Sequence, residues 1–207
     1  MNQKYMIMFA KAYSAIFSPF YAPFWAFMWL FLFSYLRMWP LGYKAFIMGI
    51  VVMFTIIIPR LTIDLFRRIN KWTHWQLSHR EHRHMPYFIT IASYIACVVL
   101  FMQLNTALFM RGMILATLAT SLVCALLNVW WKVSTHMASM GGLFGTVIAF
   151  SYLFYFNPLI PMCCMLMLAG VMGTSRMLLR QHSLAQVIVG FLIGAVASMV
   201  FIMISWV

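Results

Sequence analysis

Seven long apolar runs, separated by short polar breaks, occupy residues 13–36, 41–59, 87–109, 113–131, 138–156, 159–174 and 184–206. About 20 mostly apolar residues are needed to cross the hydrocarbon core of a bilayer as a helix. A content of 65% hydrophobic residues rules out a disordered chain and an ordinary soluble domain. The expected fold is therefore all-α, a polytopic transmembrane helical bundle of six to seven membrane segments, forming a single integral membrane domain over residues 1–207. The first run contains Pro19 and Pro23, and the second and sixth are short, so these three are expected to be kinked or re-entrant if they do not simply cross. Between Arg60 and Pro86 lies the only long polar stretch, too small for a soluble domain.

The charge balance is one-sided in sign. Fourteen Lys and Arg stand against two acids, Asp64 and Glu81, a formal net charge of +12. In a soluble protein this excess would point to nucleic acid. Here the basic residues lie between apolar runs, where they meet lipid headgroups or a phosphate-bearing ligand, and no nucleic-acid partner is expected. Cys97, Cys124, Cys163 and Cys164 all fall inside apolar segments without paired spacing, which indicates neither a disulfide framework nor a zinc knuckle. His74, His79, His82 and His84 beside Glu81 match no common ligand spacing and are read as a solvated or headgroup-facing loop, so no metal and no cofactor are expected. The start of the chain has no small-residue cleavage site and is read as retained. The 20 methionines are scattered through the apolar runs and read as pliable packing.

If every segment crosses, the breaks alternate between two faces. The face of the amino terminus, side A, receives residues 60–86, the break at 132–137 and the break at 175–183. It then carries Lys4, Lys11, Arg60, Arg67, Arg68, Lys71, Arg80, Arg83, Lys132, Arg176 and Arg180, eleven of the 14 basic residues. Segments starting at Tyr87, Met137 and Ser183 have their amino-terminal ends on the same side. Such ends present unpaired N–H groups and partial positive charge to an anion. Pro86 suits a first helical turn, and Ser134 or Thr135 and Ser183 suit caps. Three helix ends beside three basic breaks describe a phosphate site. Two of these helices also carry small residues at four-residue spacing, Ala138, Gly142 and Thr146 with Gly141 and Gly145 in one and Gly190, Gly194 and Ser198 in the other, which lets helices approach closely.

One constellation carries chemistry. Ser175-Arg176 precedes His182 with five residues between, and Ser183-Leu184-Ala185-Gln186 follows. Upstream, Lys132-Val133-Ser134-Thr135-His136 opens another helix with a second histidine. Over roughly residues 60–205 this arrangement resembles the type 2 phosphatidic acid phosphatase superfamily of membrane lipid phosphatases. Its third motif is Ser-Arg-x5-His-x3-Asp, its second Pro-Ser-Gly-His and its first Lys-x6-Arg-Pro. Ser175, Arg176 and His182 fall in register with the third motif, and Ser134 and His136 with the second. Gln186 stands where the family has Asp, Val133 and Thr135 replace Pro and Gly, and the first motif is represented only by Arg80-Glu81-His82-Arg83-His84-Met85-Pro86. The chain is similar to a compact bacterial subgroup with such Lys-x-Ser-x-His and His-x3-Gln patterns.

By this resemblance His182 is the nucleophile that forms a phosphohistidine, and His136 protonates the leaving oxygen of the lipid. Gln186 takes the place of the acid that orients the nucleophilic ring. Imidazole suits both roles because it titrates near neutral pH. Phosphoryl transfer mostly requires positioning and neutralisation of the equatorial oxygens, which Arg176, Ser175, Lys132, Ser134, Arg80 and Arg83 would supply without a metal. The expected activity is hydrolysis of a lipid phosphate or pyrophosphate. The competing expectation is a catalytically degenerate relative that binds a phospholipid headgroup or serves in a membrane complex, either as a homo-oligomer or as a structural subunit. A transporter is disfavoured because no acidic residue lies within a span to couple ions.

The resemblance implies a bacterial inner membrane. Setting aside Arg80, Arg83, Lys132, Arg176 and Arg180 as candidate ligands leaves six basic residues on side A against three on side B. By the positive-inside rule side A, with the site, faces the cytoplasm.

Overall fold

A computed structural model describes residues 3–70 and 84–206. The described chain is all helical: α1 (Gln3–Ile16), α2 (Ala22–Phe33), α3 (Leu41–Val52), α4 (Ile58–Ile69), α5 (His84–Gln103), α6 (Leu108–Leu127), α7 (Thr135–Phe154), α8 (Leu159–Leu178) and α9 (Leu184–Ile204). Among the described residues, seven stretches are long and apolar enough to cross a membrane: Gln3–Phe33, Leu41–Ile69 and the five helices α5 to α9. The protein is an integral membrane helical bundle. The sixth segment, expected to be short, is a full helix of 20 residues, because Ser175, Arg176, Met177 and Leu178 continue it.

The two amino-terminal spans are interrupted where the prolines predict. Pro19 and Pro23 cannot donate backbone hydrogen bonds, and between α1 and α2 the chain makes a 3-10 turn at Pro19–Tyr21. Arg60 of α4 stands over this turn, with its Nη1 donating to the Tyr21 hydroxyl at 2.7 Å and its guanidinium 4.7 Å from the Tyr21 ring centroid. In the second span α3 and α4 are joined by a π-helical turn at Met53–Ile57. Pro59 accounts for it. Its ring would press on the carbonyl of Thr55 in a regular α-helix, and a wider turn relieves the clash. Pro59 also has no N–H for the π-type partner Phe54, and the Ser93 hydroxyl of α5 donates to that carbonyl instead.

The bundle is built around α7, the most buried of the spans. Lipid tails are as apolar as leucine, so helices in a bilayer associate through close packing rather than through exclusion of water. Along α7 that packing is with α9, which runs parallel to it. A Cβ on Gly141 would fall on the Phe191 carbonyl, one on Gly145 on the Ala195 carbonyl, and one on Gly194 on the Ala138 carbonyl. On the outer side of α9, a Cβ on Gly112 of α6 would lie 2.9 Å from the Phe201 oxygen. Helix α9 is thus clasped between α7 and α6 with backbones in contact. At the far end of the bundle, Trp29 stacks on Phe150 at 6.4 Å, and Phe109 meets Phe150 edge-on at 6.2 Å. Helix α1 packs against α8, where the Tyr13 hydroxyl donates to the Leu168 carbonyl at 2.9 Å.

Candidate active site

The Ser-Arg-x5-His segment is folded by a helix stop. After α8, the Gln181 N–H donates to the Arg176 carbonyl at 3.1 Å and the Arg180 N–H to the Met177 carbonyl at 2.9 Å, with Arg180 left-handed at φ 52°. These two bonds form a Schellman motif. Arg180 occupies the position that usually holds glycine, so the turn is made at a steric cost of about 1 kcal/mol. The chain reverses within a few residues, and Arg176 and His182 both come within electrostatic reach of His136.

Helix α9 then begins with a reciprocal cap. The Gln186 N–H reaches the Ser183 hydroxyl at 3.5 Å, and Gln186 Oε1 accepts from the Ser183 N–H at 3.2 Å. The same Oε1 lies 3.2 Å from His182 Nδ1. A main-chain N–H can only donate, so the cap fixes oxygen rather than nitrogen at this point of the amide. The neutral His182 ring therefore carries its proton on Nδ1 and its lone pair on Nε2.

Helix α7 is brought alongside by its own cap. Ser134 is completely buried; its hydroxyl accepts from the Met137 N–H at 3.4 Å, and its own N–H donates to the Gln186 carbonyl at 3.3 Å. A Cβ on Gly190 would come within 2.5 Å of the Ser134 carbonyl, so the two helix starts touch. Two residues on, the half-buried His136 imidazole lies beside the Ser14 backbone of α1 and within electrostatic reach of Arg176 and His182. Sequence spacing carried no hint that α1 would wall this site.

Arg176, in the last turn of α8, is half-buried, and its Nε is shut off from solvent without a hydrogen-bond partner. An unpaired buried guanidinium N–H is costly and calls for an acceptor. Protein carboxylates are scarce: Asp64 is paired with Arg67 at 3.5 Å on α4 and is the only acidic side chain among the described residues. The cluster His136, His182 and Arg176 therefore gathers imidazoles and a cation without a described acid.

The remaining expected ligands are placed as follows. Ser175 is buried inside α8 and donates to the Val171 carbonyl at 2.7 Å, so its proton is engaged within its own helix. The Ser134 hydroxyl oxygen is engaged as the cap that accepts from the Met137 N–H. Lys132 is half-buried in the connection between α6 and α7. Arg80 and Arg83 lie outside the described residues, as do His74, His79, Glu81 and His82. The amino-terminal ends of α7 and α9 meet at the cluster, and α5 begins at His84, with Pro86 and Tyr87 beside the same cavity wall as Thr135 and His136. Gln186, expected to orient the histidine, contacts it through Oε1. Its second role as a cap was also readable, since Ser183-x-x-Gln186 is the capping-box pattern.

No family model, no curated protein and no solved structure matches the chain.

Proposed function

We propose that the protein is a membrane lipid phosphatase of the type 2 phosphatidic acid phosphatase kind, hydrolysing a lipid phosphate or pyrophosphate through a phosphohistidine. The observation that carries this reading is Arg176. Its buried, unpartnered Nε belongs to a cluster with two imidazoles and two helix amino termini, and a phosphoryl group supplies the acceptors and negative charge that this cluster lacks.

In the proposed reaction the Nε2 lone pair of His182 attacks phosphorus while the bond from phosphorus to the lipid oxygen breaks. His136 gives its proton to that leaving oxygen. Water then attacks the phosphohistidine, the P–N bond breaks, and His136 takes the water's proton. Phosphate and a lipid alcohol, or a lipid monophosphate from a pyrophosphate, are released. Arg176 and Lys132 offset the charge of the equatorial oxygens together with the N–H groups of α7 and α9. Ser134 and Ser175 hold the frame that presents these groups. Orthovanadate, a mimic of the five-coordinate phosphorus, should bind to the wild-type protein and lose affinity in Arg176→Ala. Equal affinity in the two would remove the central support for the proposal.

Gln186 separates this reading from a binding role. An amide oxygen orients the ring as a carboxylate does, but it contributes little charge to an imidazole becoming positive. Gln186→Leu removes both contacts of Oε1 and is expected to lower kcat by about 10²- to 10⁴-fold, by analogy with loss of the orienting acid in serine protease triads. Gln186→Glu keeps the reach of the side chain and adds charge, so kcat should rise or stay level. A large loss in Gln186→Glu would show that the uncharged amide has a role of its own, such as holding a headgroup in a protein that does not turn over.

The site is proposed to face the cytoplasm, in a bacterial inner membrane. Arg180 and Asn157 stand at opposite ends of α8, and both are exposed. Single cysteines at these positions, in a cysteine-free background in intact cells, should differ toward a membrane-impermeant thiol reagent. Position 157 is expected to label and position 180 to remain unlabelled. The reverse pattern would place the site on the outer face.

A further inference from the structure

A cavity of about 280 Å³ opens beside His136 between α2, α5, α6, α7 and α9, and neither Arg176 nor His182 lines it. Its outer part is formed by Pro86 and Tyr87 at the start of α5 and by Thr135 and His136 at the start of α7. Its inner part reaches Thr146, which follows His136 by ten positions along α7, about 15 Å at the helical rise. That is half of a hydrocarbon core of about 30 Å. The cavity therefore leads from the level of the site to the middle of the bilayer.

Among the described residues its wall carries many hydroxyls and, apart from the His136 imidazole at its outer end, no ionisable side chain of an acid, lysine or arginine. Thr90, Thr117 and Thr146 donate to the carbonyls of Pro86, Met113 and Gly142, each four residues back in its own helix. Ser139 is likewise bonded to the His136 carbonyl. These protons are engaged within their own helices, and with Pro19, Phe20, Pro23, Ala26, Met113 and Leu143 on the wall much of the surface that a ligand meets is hydrocarbon. A methylene-sized group occupies roughly 30 Å³, about the share of a water molecule, so the space holds about nine of them, one chain and not two.

We propose that this cavity receives a single hydrocarbon chain of the substrate, which makes the protein selective for phosphorylated lipids that can insert one slender chain beside His136. The inference rests on the phosphatase reading for the position of the phosphate, while occupancy of the cavity can be tested without turnover. Thr117→Phe projects a ring into the chain path from α6, and Thr117→Ala is the control that leaves the path open. Thr117→Phe should raise KM for dodecyl phosphate about tenfold or more, the effect of leaving roughly two methylenes unburied, with KM for p-nitrophenyl phosphate unchanged. Thr117→Ala should alter neither substantially.

The binding arm uses Ser121→Cys, a near-isosteric change on the same wall, in a background with Cys97, Cys124, Cys163 and Cys164 replaced by alanine. Dodecyl phosphate should slow the reaction of this cysteine with an alkyl methanethiosulfonate, and inorganic phosphate should not. Protection by dodecyl phosphate without hydrolysis of any phosphate would keep the chain site and overturn the phosphatase reading. Hydrolysis of both substrates with no protection, or with Thr117→Phe impairing both equally, would overturn the chain site and keep the phosphatase. Protection by inorganic phosphate alone would show a hydrated anion route in place of a chain site.

Discussion

Replacing His182 with alanine is expected to abolish turnover and with it any acid-labile phosphoenzyme, a loss of about 10⁴-fold or more in kcat. The expectation follows from the tautomer. Gln186 Oε1, held by the Ser183 N–H, fixes the proton of the neutral ring on Nδ1, so that the lone pair of that tautomer is on Nε2. The other imidazole of the cluster, His136, belongs to another helix and lies beside the backbone of Ser14. His136→Ala should behave differently. Loss of the proposed general acid should slow departure of the lipid oxygen by about 10²- to 10⁴-fold, and much of that loss should disappear with a substrate such as p-nitrophenyl phosphate, whose leaving group needs no proton. Rapid-quench labelling with radioactive phosphate distinguishes the two. Phosphoenzyme that persists in His182→Ala would assign the nucleophile elsewhere, and equal losses on both substrates in His136→Ala would remove its role as the acid.

The separate histidines were legible in the sequence, as was the side on which they meet. Seven apolar runs, counted against the basic breaks, put the starts of two histidine-bearing helices on one face, and Ser134 and Ser183 announced the caps. What could not be read is the distance between them. It is set by the Schellman turn at Arg180, where no glycine marks the reversal, and by the hydrogen bond from the Ser134 N–H to the Gln186 carbonyl, which involves only main-chain atoms. The π-turn before Pro59 was hidden for a related reason, since a proline in an apolar run signals a disturbance without saying which wider turn absorbs it. The cavity beside His136 has no local signature at all. Its wall comes from five helices, and each hydroxyl on it, taken in its own segment, looks like an ordinary threonine or serine of a membrane helix.

The small residues of α7 and α9, visible in the sequence as a pattern at four-residue spacing, lead to the largest expected effect on stability. Gly141→Ala and Gly194→Ala each place a methyl group on a main-chain carbonyl of the facing helix, Phe191 in one case and Ala138 in the other. A flexible side chain would swing aside, but a helix carbonyl moves only with its helix. Helix α9 has no room to retreat, because Gly112 of α6 already meets the Phe201 carbonyl from behind. Overpacking of this kind costs about 1–3 kcal/mol where neighbours can yield, and here the upper end or beyond is expected. Gly170→Ala is the matched control: it lies in α8 with nothing within 4 Å of an added Cβ. There the alanine should leave stability unchanged or improve it by up to about 1 kcal/mol, through helix propensity alone. Thermal unfolding in detergent, followed by loss of the monodisperse peak on size exclusion, measures the contrast directly. Because the same crossing presses Ser134 against Gln186, the two destabilised variants should also lose orthovanadate binding at temperatures where they are still folded. Unfolding temperatures equal to that of Gly170→Ala would mean that α7 and α9 do not touch, and the site that depends on their contact would have to be rebuilt from other residues.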